Sequence, residues 1–185
     1  MKKIIYGIIL ICLALPAGAQ NTFNKGDKVL NLGLGLGSTF YTGGGYTSKI
    51  PPISASFEMG IKDHLFDEKS SIGVGGYVGY TSAKYEYGTD YGWKYSDFII
   101  GARGTFHYQL IDKFDTYTGL MVGYDIATSK EYGTWAGSNN YSSASSGAEW
   151  SWFVGGRYYF SDNIAGMVEL GYGIAYLNLG IGIKF

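Results

Sequence analysis

In the last stretch of the chain, Leu177, Leu179, Ile181, Ile183 and Phe185 form one apolar row, and Asn178, Gly180, Gly182 and Lys184 form a small or polar one. Side chains along a strand point alternately to opposite faces, so this pattern predicts a strand with one oily face and one quite different face. The pattern recurs upstream. Lys28 to Phe40 sets Leu30, Leu32, Leu34, Leu36 and Phe40 against Asn31, Gly33, Gly35 and Gly37, and Ile53 to Lys62 sets Ile53, Ala55, Phe57, Met59 and Ile61 against Ser54, Ser56, Glu58, Gly60 and Lys62. Ser70 to Lys84 opposes Ile72, Val74, Val78 and Tyr80 to Gly73, Gly75, Tyr77, Gly79 and Thr81. Tyr95 to Gln109, Thr116 to Thr128, Ala148 to Phe160 and Ile164 to Gly173 repeat it, with Phe98, Ile100, Leu120, Val122, Trp150, Trp152, Val168 and Leu170 on the apolar rows. Eight strands are predicted, and no stretch has a convincing helical period.

The connections alternate between long and short. Tyr41 to Pro52, Tyr85 to Lys94 and Ser129 to Gly147 are predicted loops rich in Gly, Ser and Tyr, whereas Asp63 to Lys69, Asp112-Lys113 and Ser161-Asp162-Asn163 are turns. An antiparallel sheet of this size removes its exposed edges by closing on itself. A soluble barrel would turn the Leu, Ile and Phe rows inward and carry many Lys, Glu and Thr outside. The second rows here are mainly Gly and Ser with sparse charge, and the apolar rows carry no charge away from their ends. That distribution suits lipid outside and a narrow polar lumen inside, since a charge facing mid-bilayer costs roughly 2–4 kcal/mol. Aromatic residues gather near strand ends, among them Tyr41, Tyr80, Tyr108, Trp150 and Phe160, as interfacial girdles do. The predicted fold is all-β: an eight-stranded antiparallel up-and-down transmembrane β-barrel.

The N-terminus sharpens the location. Lys2 and Lys3 precede an apolar run, Ile4 to Leu15, and Ala17-Gly18-Ala19 supplies small residues for cleavage, so residues 1–19 read as a removable export signal and 20–185 as one barrel domain. Cys12, the only cysteine, lies inside that signal, which excludes disulfides and thiol chemistry from the barrel. Of the 14 basic residues 12 remain after cleavage, against 15 acidic ones, and no basic run points to nucleic acid. No cofactor or metal is expected.

Arg157-Tyr158-Tyr159-Phe160-Ser161-Asp162-Asn163, Glu169-Leu170-Gly171-Tyr172-Gly173 and the closing Leu177 to Phe185 carry a family likeness. The chain resembles the small eight-stranded outer-membrane barrels of Gram-negative bacteria, OmpX-like or OmpA-transmembrane-like, and the outer-membrane β-barrel porin family of Bacteroidetes type. The resemblance implies residence in the cell outer membrane with both termini periplasmic. It also implies contact with outer-membrane lipid and lipopolysaccharide, and a C-terminal strand that the barrel-assembly machinery reads through Tyr176, Leu179, Ile181, Ile183 and Phe185. Full OmpA-type proteins add a periplasmic peptidoglycan-binding domain; this chain ends at its last strand.

Three sets of residues are candidates for function. Glu58, Arg103, Arg157 and Glu169 lie on inward rows, where they form either a gate for small solutes or a static plug of paired charges, and the narrow bore favours the plug. His107, beside Tyr108-Gln109, and His64, in a turn, are the only histidines, and neither sits in a pattern expected of a lipid-modifying hydrolase. Tyr87, Tyr91, Trp93, Trp135 and Tyr141 give the outer loops an adaptable binding palette for an unknown extracellular ligand. The expected role is non-enzymatic, structural or interactive at the cell surface. A narrow pore is the alternative, and a lipid-modifying enzyme follows only by analogy of fold.

Overall fold

The computed structural model describes residues 22–41, 45–87, 91–133 and 141–185. The export signal and Trp135 lie outside the described residues. Eight strands follow in order: β1 (Lys28–Ser38), β2 (Tyr46–Asp63), β3 (Ser70–Tyr87), β4 (Tyr91–Ile111), β5 (Phe114–Gly133), β6 (Ser142–Tyr159), β7 (Ile164–Gly171) and β8 (Ala175–Lys184). Each pairs antiparallel with the next, and β8 closes on β1 through Leu30 opposite Ile183 and Leu34 opposite Leu179. Every strand therefore has two hydrogen-bonded neighbours, and the sheet has no edge over the length that all eight strands share.

The two faces divide as the alternation predicts. Leu34, Ile53, Val74, Ile100, Val122, Trp150, Leu170 and Ile181, one from each strand, all point outward and are exposed. Asn31, Ser56, Glu58, Arg103, His107, Asp115, Arg157, Glu169 and Asn178 point into the lumen and are buried. Such an inversion is untenable in water, where contiguous exposed apolar patches rarely exceed a few hundred Å². It is the arrangement a lipid-facing barrel needs.

The barrel has two unlike ends. One, here called the base, carries the described N-terminal segment, Phe185 and the turns between β2 and β3, β4 and β5, and β6 and β7. At the other end, the rim, β2 to β6 rise far above β7, β8 and β1: β4 has 21 residues and β7 only 8. The predicted loops Tyr41–Pro52 and Tyr85–Lys94 are thus largely strand. Lys84 pairs with Lys94, Tyr85 with Trp93 and Tyr87 with Tyr91, so the hairpin continues nearly to its tip. Beyond the lipid level both faces of a strand are wetted, so apolar alternation disappears while the β-favouring tyrosines remain. Pro51 and Pro52 sit in β2 where its register with β3 shifts, between Ile50 and Ile53; neither has an N–H to give to a ladder, and the irregularity accommodates them.

One outward assignment is corrected. Phe40 lies past the end of β1 and packs against a buried cluster of Tyr77, Ile99, Tyr117, Met121, Phe153, Ile174 and Ala175 inside the barrel. Gly37, with φ +72°, breaks the alternation two residues after the last regular inward position and lets the chain turn over the lumen.

Candidate functional site

The lumen is filled from base to rim by three layers, and the inward rows dictate each. In the lowest, Arg157 from β6 donates from Nε and Nη2 to Asp115 Oδ2 at 2.9 and 2.6 Å, and its Nη1 lies 3.3 Å from Glu58 Oε2. His107 stands between the same two carboxylates, Nδ1 at 2.9 Å from Asp115 Oδ1 and Nε2 at 2.7 Å from Glu58 Oε1. Both ring nitrogens thus face carboxylates, and Arg157 reaches the same two acids. The Thr105 hydroxyl also donates to Glu58. A buried charge is costly unless it is paired and hydrogen-bonded, and each of these is both.

The second layer is the pair Arg103–Glu169, at 2.6 Å, with the Tyr117 hydroxyl donating to Glu169 at 3.2 Å. Arg103 Nη1 donates to Ser56 Oγ at 3.1 Å, and Ser56 accepts from Asn31 Nδ2 at 3.2 Å. The Arg103 guanidinium lies 3.7 Å from the centre of the Phe153 ring. Cation–π contact of this kind satisfies a face of the guanidinium that no carboxylate reaches. Above it comes the aromatic and aliphatic cluster that includes Phe40.

Glycines make room for these long side chains. A Cβ on Gly73 would come within 2.6 Å of Glu58 Oε1 and 2.7 Å of Thr105 Oγ1, and one on Gly155 would come within 2.6 Å of the Tyr117 ring. β3 and β8 give the ion network no charged member; their inward glycines are the space it occupies.

The base is closed by the segment before β1. Phe23 stacks on His107 with ring centroids 4.0 Å apart. The Thr22 amide donates to Gln109 Oε1 at 2.9 Å, the Ser71 hydroxyl to the Phe23 carbonyl at 2.9 Å, and Lys184 pairs with Asp27 at 2.7 Å. Backbone bonds from Gly26 to Gly60 at 2.8 Å and from Gly60 to Asp27 at 2.9 Å pin the segment to β2. A space of about 20 Å³ left within the plug is lined by Tyr77, Arg103, Ser151, Glu169 and Asn178 among others. That is about the size needed for one water.

All four lumen residues expected from the sequence therefore meet in one network, Glu58 with Arg157 and Arg103 with Glu169. Asp115, Thr105, Tyr117 and Phe23 were missed. Asp115 shares the parity of Met121 and Gly123, but it falls just before the predicted strand Thr116 to Thr128. Phe23 is the one large apolar residue in a polar lead-in, which is the signal that could have found it.

The rim candidates are placed differently from expectation. Tyr87, Tyr91 and Trp93 belong to strands β3 and β4, not to a loop; Tyr141 directly precedes β6. Tyr41, Tyr46, Tyr85, Tyr87, Tyr91 and Tyr95 form a chain of ring contacts with centroids 4.8 to 6.4 Å apart. The Tyr91 hydroxyl donates to Glu131, which also accepts from the Tyr141 amide at 3.0 Å and thereby ties β6 to the tall hairpin. Glu131 is held below the usual carboxylate range by those two hydrogen bonds. At the C-terminus, Tyr176, Leu179, Ile181 and Phe185 are exposed on the outer wall and Ile183 is partly so.

No family model matches the chain, and no curated protein sequence matches it. Solved structures do. Ail, the attachment invasion locus protein of Yersinia pestis, crystallised with the heparin analogue sucrose octasulfate, superposes with a TM-score of 0.53 at 14% identity, over 87% of this chain and 99% of Ail. The outer membrane protein OprG from Pseudomonas aeruginosa is similar at 0.47 and 10% identity, covering 90% and 99%, and Neisserial surface protein A at 0.43 and 13%, covering 85% and 94%. The fold is that of the small eight-stranded outer-membrane barrels.

Proposed function

We propose that the protein is an integral outer-membrane barrel, sealed to solutes, that presents its raised rim as an interaction surface outside the cell. The observation that carries this reading is the division of the two faces: an apolar wall around all eight strands encloses a lumen packed with paired charges. The base then faces the periplasm and the rim the exterior, as the rule of short periplasmic turns and long outer connections requires.

The filled lumen favours a plug over a pore. A solute would have to separate Arg103 from Glu169 and displace the aromatic layer, and the space of about 20 Å³ beside that pair admits no hydrated ion. A non-enzymatic role is favoured by His107, the one inward histidine: its side chain is 1% exposed, both its nitrogens are engaged, and Phe23 covers its ring. No acyl chain in the surrounding lipid reaches it.

The raised wall of β3, β4 and β5 bears Tyr87, 55% exposed, with Tyr141 at 62% beside it. Tyrosines of this kind offer flat apolar area and a hydroxyl at low entropic cost, which suits sugar rings and polar epitopes. Ail, with the same fold, is seen holding a sulfated sugar. Barrel-bearing nanodiscs passed over immobilised sulfated and neutral glycans are expected to be retained, and Tyr87→Ala with Tyr91→Ala to weaken retention about tenfold, as loss of one or two hot-spot aromatics does. Retention unchanged by the two substitutions would remove the rim from the account.

A further inference from the structure

We propose that the outer wall just above the apolar belt holds a built seat for a phosphate group of an outer-leaflet lipid, made by Lys84, Lys94 and Lys130. The inference rests on the membrane-spanning reading above. Lys84 of β3 stands directly opposite Lys94 of β4, and Lys94 directly opposite Lys130 of β5. All three occupy the row that carries Tyr80, Phe98 and Ile126 further down, so they project toward the lipid side of the wall and not into the lumen.

Like charges directly opposite one another across a ladder repel. Three adjacent ammonium groups on one row need a counter-charge, and none of them forms an ion pair with a described carboxylate. Glu86, the acid further out on the same row of β3, accepts instead from the Tyr132 hydroxyl at 3.0 Å. Lys84 lies 5.3 Å from the centre of the Tyr132 ring. An anion from outside the chain would relieve that repulsion.

Depth and shape say which anion. The lysines lie four residues beyond the last apolar row, about 13 Å along the strand and roughly 10 Å along the membrane normal at a tilt of about 40°. The headgroup layer begins where the hydrocarbon ends and is about 5–7 Å thick, and lysine stems bend back toward it. Between Lys94 and Lys130 a cleft of about 200 Å³ opens in the outer wall, floored by Ser96 and Thr128. Two ammonium groups and two hydroxyls around one cleft match a phosphate ester, which takes several donors at once. On the belt side, between β2, β3 and β4, an apolar hollow of about 220 Å³ is lined by Ile53, Ala55, Val78, Tyr80 and Phe98. Ser96 in the cleft and Phe98 in the hollow are successive outward residues of β4, so the seat adjoins a surface suited to an acyl chain, which favours a lipid phosphate over a free one.

The test uses the full mature chain in phosphatidylcholine nanodiscs doped with lipid A bearing both phosphates, or with lipid A stripped of them. Native mass spectrometry counts lipid A retained per barrel, and resistance to protease in the same discs reports insertion. The wild-type chain is expected to retain the phosphorylated lipid preferentially. Lys84→Gln, Lys94→Gln and Lys130→Gln are each expected to reduce retention about fivefold, with the triple variant losing the preference altogether. Lys62→Gln with Lys69→Gln, at the base, is expected to leave it intact. Equal retention of both lipids, or of the phosphorylated lipid by the triple variant, overturns the seat while leaving the barrel standing. Displacement by inorganic phosphate at matched concentration overturns the lipid source and assigns the cleft to a free anion. A chain that stays protease-sensitive in the discs overturns instead the membrane reading beneath it.

Discussion

Arg157→Ala is expected to destabilise the barrel by about 3–5 kcal/mol, the cost of removing one member of a buried charge group. The Arg157 side chain is fully buried and donates to Asp115 at 2.6 and 2.9 Å while lying 3.3 Å from Glu58. Without it, two carboxylates face one His107 ring in a space from which water is excluded by Phe23 on one side and the Tyr117 layer on the other. The companion Asp115→Asn variant separates charge from packing. In Arg157→Ala with Asp115→Asn only one carboxylate, Glu58, is left beside His107, so the double variant is expected to be more stable than Arg157→Ala alone, a coupling that only groups in contact produce. Urea unfolding of the chain reconstituted in vesicles reads both. A loss below about 1 kcal/mol for Arg157→Ala, the range of exposed ion pairs, would mean that the network is solvated and the lumen open.

Val122→Arg carries the second large effect, and its sign of origin differs. Val122 is 65% exposed and stands midway along the outward row of β5, between Leu120 and Tyr124. On a soluble barrel an exposed valine is a tolerant position, and the change would fall within about 0.5 kcal/mol. Facing the bilayer midplane, the same arginine is expected to cost about 2–4 kcal/mol. Placing arginine instead at Thr128, nearer the headgroups, is expected to cost about 0–1 kcal/mol. The difference between the two positions, measured by the same unfolding experiment in vesicles, reports lipid depth directly; equal small costs at both would place the apolar wall somewhere other than in a bilayer.

The fold was legible because lipid and lumen impose opposite demands on alternate residues, and the chain shows that opposition in every strand. The strand ends were not. Alternation marks the lipid-facing length only, so β2 to β6 were read too short where they rise past the belt, as at Tyr91 to Lys94 and Ser142 to Gly147. Glu58, Arg103, Arg157 and Glu169 were legible as inward charges, because a buried charge in a Gly-lined row stands out. Their pairing was not: it depends on which rows meet across the barrel, and that follows from strand register, which no single stretch records. Asp115 was hidden by its place next to the turn residues Asp112 and Lys113. Phe23 was hidden because it lies outside any strand, held by tertiary contacts with His107, Ser71 and Gln109. The lysine row at Lys84, Lys94 and Lys130 shows the same limit, since three residues spaced along the chain become neighbours only when β3, β4 and β5 align.

The central claim is a membrane barrel whose lumen is sealed, and ion conductance across a planar bilayer tests it most directly. The refolded chain, with insertion verified by protease protection, is expected to leave the bilayer silent under applied voltage, with Arg103→Ala, which unpairs Glu169 beneath the aromatic layer, measured alongside. Discrete channels from the wild-type chain, altered in size by Arg103→Ala, would contradict the plug and make the Arg103–Glu169 pair a gate.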